Sequence, residues 1–138
     1  MKTKQRADQL PWLLIASLGS LALVRPIVKV IGDVFDYSVS LVATMAITAA
    51  IAVVWIGIVV KLNVKKPVLV LAASGAVYAV LSIAMAVIIQ VVAPDLGDED
   101  AKIAVLLTAG LIASTIFNIV YGAFLGLVAS GMQRAIRK

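Results

Sequence analysis

Cysteine and histidine are both absent from this chain. Their absence removes disulfides, thiol nucleophiles, imidazole acid–base chemistry and Cys/His metal sites together. The glycine- and histidine-based signatures of nucleotide binding and zinc proteolysis are missing as well. The expectation is therefore a protein that is not an enzyme and holds no metal or cofactor. Charge is scarce: only 14% of the residues are Asp, Glu, Lys or Arg. What fills the chain is apolar, 63% of 138 residues, with a mean hydropathy of +1.13. Soluble domains run at about 45–50% apolar, so the expected solvent is a lipid bilayer and the expected unit a single transmembrane domain spanning residues 1–138.

A transmembrane helix needs about 20 mainly apolar residues, and four runs supply them: about 10–31, 37–60, 67–93 and 103–132. Charged or turn-forming breaks separate them, around Gly32-Asp33 and Asp36, at Lys61 to Lys66, and from Pro94 to Asp100. Pro67 suits the first turn of a helix, where no intrahelical N–H is needed. The runs are continuous rather than alternating, which excludes barrel strands. Fold class follows: all-α, an integral membrane four-helix bundle with short loops. Ser20-Leu21-Ala22 offers a signal-peptide cleavage pattern, but the apolar run continues past it and a retained span is expected.

Basic residues in short loops set orientation. Nine of the twelve lie on one side, at the N-terminus, between spans two and three, and at the C-terminus; with Asp8 they give +8. Arg25, Lys29 and Lys102 share the other side with six acids, giving −3. This asymmetry predicts both termini in the cytoplasm, and it accounts for the net charge of +5 without a nucleic-acid partner. Trp12 and Trp55 are expected near the inner membrane boundary and Tyr37 near the outer one, as an aromatic belt. The acidic stretch Asp95, Asp98, Glu99 and Asp100 reads as a solvated loop rather than a cation site.

Helices in lipid associate through close packing at small residues. Span three carries Ala72, Gly75, Ala79, Ser82 and Ala86 at spacings of three and four, and span two a similar series in Ala43, Ala46, Ala50 and Gly57, with Val53 between the last two. Span four has Gly110, Ser114, Asn118, Gly122, Gly126 and Ser130 at strict intervals of four, which favours a right-handed crossing. That row drifts about 40° per step around a 3.6-residue helix, so one neighbour cannot use all of it. Either it packs within the monomer or part of it meets another subunit.

Ionisable and amide groups inside the lipid are costly and are the natural functional candidates. Arg25 lies roughly 22 Å along span one. Pro26 follows it and removes the hydrogen bond to the Ala22 carbonyl, which predicts a kink. Arg25, Lys29, Asp33 and Asp36 share a face if the helix continues. Two readings of Arg25 stand: it lines an anion-attracting vestibule, or it snorkels outward to the headgroups. Tyr78 and Asn118 fall mid-span and are expected to hydrogen-bond each other. Gln90 lies at the level of Arg25 and completes the candidate polar site of Arg25, Tyr78, Gln90 and Asn118.

The pattern Leu23-Val24-Arg25-Pro26, Val54 to Val60, Pro67-Val68-Leu69 with Gly75 and Tyr78, and Asn118 with Tyr121-Gly122 and Gly126-Leu127 resembles small four-helix bacterial membrane proteins that have no assigned function. The likeness covers most of the chain. It implies a bacterial cytoplasmic (inner) membrane and brings no activity. Two function classes are expected. The first is a membrane protein acting through helix packing, with itself or another membrane protein as partner. The second is an oligomeric channel or transporter for a small solute, such as an anion, along Arg25, Tyr78 and Asn118.

Overall fold

The computed structural model describes residues 11–93 and 108–137. Five helices account for almost all of them: α1 (Trp12–Leu21), α2 (Val24–Val34), α3 (Leu41–Lys61), α4 (Pro67–Val92) and α5 (Thr108–Ile136). Helices α1 and α2 together form the first span, so four stretches are long and apolar enough to cross a membrane. Only 17–28% of each stretch is buried inside the protein. The rest is an apolar exterior that only lipid or another apolar surface would cover. The acidic stretch from Asp95 to Asp100 and the N-terminal basic residues lie outside the described residues.

Local chemistry fixes the breaks. Pro26 has no N–H to give Ala22, and the helix breaks there as the sequence predicts. The Ala22 carbonyl is nevertheless not left open: the Arg25 N–H bonds it at 3.2 Å, one residue tighter than an α-helical bond. Helices α2 and α3 end in the same way. Tyr37 N–H bonds Gly32 O while Asp36 N–H bonds Asp33 O, and Val64 N–H bonds Val59 O while Asn63 N–H bonds Val60 O. These are Schellman closures. Asp36 (φ 57°) and Asn63 (φ 50°) take the left-handed position, which Asp and Asn adopt more readily than other non-glycine residues. Span two then starts later than expected, at Leu41, because Ser40 is extended and its hydroxyl accepts from Ala43 N–H as an N-cap. Span four continues past Met132 to Ile136.

Around the bundle the neighbours are α1 on α4, α4 on α5, α5 on α3, and more loosely α2 on α3. The closest pair is α4 and α5. A Cβ added to Gly75 would collide with the backbone of Asn118, one on Gly122 with Leu71 O, and one on Gly126 with the Val68 Cα. Both Gly122 and Gly126 are thus occupied by α4 within the monomer. Beside Gly126 the α5 seam shifts to Leu125 and Ala129, both buried, and reaches Gln133. It therefore does not follow the expected row to its ends. Ser114 is exposed, and the Ser130 hydroxyl returns to Gly126 O. Ser82 is half-buried and bonds Ala79 O. Gly110 lies outside the residues whose burial is described.

The small-residue series of span two forms no seam within the monomer. Ala46, Ala50, Val53 and Gly57 are exposed, and nothing lies within 4 Å of a Cβ at Gly57. The face of α3 that packs is the opposite one, carrying Trp55 and Val59. Trp55 is correspondingly not a belt residue. It is 3% exposed and its indole N–H donates to Leu18 O at 3.0 Å, tying α3 to α1.

The core is confined to one end. Ile15, Leu18, Trp55, Val59, Val70, Leu71, Leu125 and Ala129 form one buried cluster. These come from α1, the second half of α3, the first half of α4 and the second half of α5. The Gln133 side chain seals that end by donating to Val59 O and Val64 O, at 3.1 and 3.3 Å, and Arg137 bonds Asn63 Oδ1. Toward the other end, in α4 beyond Ala79 and in α5 from Leu111 to Val120, no residue of described burial is buried. The helices pack tightly at the Lys61 end and stand apart at the Asp33 end.

Candidate functional site

Where the helices separate, two adjoining cavities open between α2, α3, α4 and α5. The deeper one reaches the buried Trp55 and is half open to the outside, where Leu41, Met45 and Phe117 are exposed; its volume is about 470 Å³. Its wall is made by Ala22, Leu41, Met45, Ala49, Ile51 and Trp55 on one side and by Gly75, Phe117 and Tyr121 on the other. Phe117 and Tyr121 stack with ring centroids 6.4 Å apart. The second cavity, about 530 Å³, lies between α2 and the start of α3 and is lined by Pro26, Val28, Lys29, Asp33, Ser38, Val39 and Ile47. Arg25, Leu41, Thr44 and Tyr78 line both. Volumes of this order are those of small-molecule sites.

Helix α2 is amphipathic with its faces reversed relative to a soluble protein. Val24, Ile27, Ile31 and Val34 are exposed on the outside of the bundle. Arg25, Lys29 and Asp33, exposed as well, line the open cavity on the opposite face. Arg25 is exposed and lines both chambers, at their junction. The expected fourth member of that face, Asp36, is lost to it, because α2 ends at Val34 and Asp36 turns into the left-handed position. Lys29 is engaged with a neighbour. Among the described residues nothing hydrogen-bonds or ion-pairs with the Arg25 guanidinium or the Tyr78 hydroxyl.

Asn118 reaches the same deep chamber from α5, but the expected Tyr78–Asn118 hydrogen bond is not formed. The Asn118 amide donates instead to Ser114 O of its own helix, at 2.8 Å, the local competition that short polar side chains offer in helices. Thr44 and Thr48 behave alike, donating to Ser40 O and Thr44 O at 3.2 and 2.9 Å. The chamber wall is therefore less polar than its residue names suggest. Three of the four polar candidates from the sequence, Arg25, Tyr78 and Asn118, meet at one cavity; the side chain of Gln90 lies outside those described. Trp55 at the cavity floor was missed, since a tryptophan near the end of an apolar run reads as a belt residue. No group of three or more potential metal ligands occurs among the described residues.

Comparison with protein-family models, with characterised proteins and with solved structures finds no match for this chain.

Proposed function

We propose that this chain is a multi-pass membrane protein, not an enzyme, that admits a small solute into the open end of its bundle. The observation that carries the reading is the reversed amphipathicity of α2. Placing Arg25, Lys29 and Asp33 around an open cavity on one face of a membrane-spanning helix is costly unless that cavity holds water or a polar ligand. In a protein whose only task were to pack, those positions would be served better by Leu or Ala. The charge asymmetry of the loops supports both termini in the cytoplasm, which puts the open end on the outer side. The resemblance of its motifs supports a bacterial inner membrane.

The absence of native cysteine provides the test. Single cysteines at Thr44 and Thr48, on the cavity wall, should react with a charged, membrane-impermeant thiol reagent in intact cells. Cysteines at Ala50 and Val53, on the lipid-facing side of α3, should not. Silence at both cavity positions, with a loop cysteine at the exposed Tyr37 reacting normally, would end the solute-binding reading.

A second reading keeps helix packing as the activity. It is favoured by the exposed small-residue face Ala46, Ala50 and Gly57, which allows close approach of a second copy of this chain.

A further inference from the structure

We infer that the solute is an amphipathic monoanion, with its charged head at Arg25 and its apolar body in the deep chamber. This rests on the solute-binding reading above and adds the ligand class.

The two chambers differ in chemistry. The deep one is walled by aliphatic and aromatic side chains, with Trp55 at its floor and the stacked Phe117–Tyr121 pair at its side. Thr44, Thr48 and one N–H of Asn118 are turned back onto helix carbonyls, which leaves this chamber's polar groups mainly at the border, at Arg25 and Tyr78. A sugar or a peptide in that space would give up more hydrogen bonds to water than these few groups replace, which disfavours it. An alkyl or aryl body gives up nothing and gains burial. The outer chamber carries Arg25, Lys29 and Asp33, a net charge of +1, which repels a cationic head.

Arg25 is the group at the border. Arginine keeps its charge in proteins, and its planar fork binds a carboxylate or phosphate oxygen pair in bidentate fashion. It has no partner among the described residues, whereas Lys29 already has one. Tyr78 lies at the same border; its hydroxyl has no hydrogen-bond partner among the described residues and can donate to the same head. From Leu41 to Trp55 the walls run about 21 Å along α3, room for a chain of medium length. The head chemistry is shared by a free single-chain acid and by an anionic membrane lipid.

Trp55 makes the test direct, because the chain holds only two tryptophans. In a Trp12→Phe background, Trp55 fluorescence in detergent is followed while ω-bromodecanoate is added. The uncharged ω-bromodecanol and the cationic ω-bromodecyltrimethylammonium serve as matched probes, and acetate as a head without a body. The expected result is saturable quenching, with the anion bound about tenfold or more tighter than the alcohol. Arg25→Gln should erase that preference while leaving alcohol binding unchanged, Arg25→Lys should keep part of it, and Tyr78→Phe should weaken it several-fold. Acetate should not compete. Displacement of the probe by phosphatidylglycerol identifies the source as membrane lipid, and its failure to displace identifies a free acid.

Equal binding of anion and alcohol, preference for the cation, or no effect of Arg25→Gln would overturn the inference and leave solute binding standing. Absence of saturable quenching by all three probes, with Thr48→Cys still labelled in cells, would overturn it too. Failure of both the quenching and the labelling would remove the parent reading as well.

Discussion

Alanine at Gly122 should destabilise this protein while alanine at Gly57 should not, although both residues sit in long apolar helices. At Gly122 the added carbon would overlap Leu71 O, lie 2.8 Å from Leu71 C and sit 3.1 Å from Ala72 Cα. All three are backbone atoms of α4, so no rotamer change relieves them and the two helices must part. Overpacking of this kind costs about 1–3 kcal/mol, and the rigidity of the obstacle places the expected value near the top of that range. Glycine in a water-soluble helix would return about 1 kcal/mol on becoming alanine. A membrane helix stays helical when the bundle comes apart, because lipid leaves its backbone no other partner, and that gain largely cancels. At Gly57 nothing lies within 4 Å of the new carbon, so the expected change is about zero, within the ±0.5 kcal/mol typical of surface sites. Unfolding by a denaturing detergent, followed by tryptophan fluorescence, measures both. Equal stability of the two variants would refute the assignment of Gly122 to the α4–α5 contact. A Gly122→Ala variant of normal stability but altered assembly mass would mean that this glycine serves another subunit.

Trp55→Phe removes the indole N–H from Leu18 O and should cost about 0.6–1.7 kcal/mol, the range of interhelical hydrogen bonds in lipid, read by the same unfolding titration. A reporter active only in the cytoplasm should give signal when fused after Lys138 and none when inserted in the segment between α4 and α5; the opposite pattern would reverse the orientation. If α3 is a contact between copies, a cysteine at Ala50 should form a disulfide-linked dimer under oxidation in the membrane while one at Val80 on α4 should not, and Gly57→Leu should suppress it.

The spans were legible because lipid demands length and apolarity before anything else, and charged residues at Asp33, Lys61 and Lys66 interrupt the runs where helices end. The close approach at Gly122 was legible too, since only small residues permit backbone contact. Which way a helix faces was much harder to read. In water, polar residues mark the outside, but in lipid an alanine packs or faces the tails at almost the same energy. The series Ala46, Ala50 and Gly57 looks the same whether it faces a neighbour or lipid, and the opposite face of α3 holds the indole that decides the matter. Helix α2 escapes this ambiguity in one respect, since its charges fall on one face. Whether that face looks inward depends on how far α2 stands from α3, a tertiary fact that the kink at Ala22 sets and the sequence does not encode locally. Asn118 illustrates a further limit: its own helix offers an acceptor four residues back, so a partner on another helix is not required.

The one-sided distribution of the core has a bearing on how the molecule comes undone. Amide hydrogens of α1, of the second half of α3 and of the second half of α5 lie in or beside the sealed cluster, and they should exchange only when the whole bundle opens. Those of α2 and of the start of α3 are held by little besides their own helices, and should exchange through local opening at much lower free energy. Any occupant would then sit in the least stable part of the structure. It would protect those amides in proportion to its concentration over its dissociation constant, so that filling the space and completing the fold of that end are one and the same equilibrium.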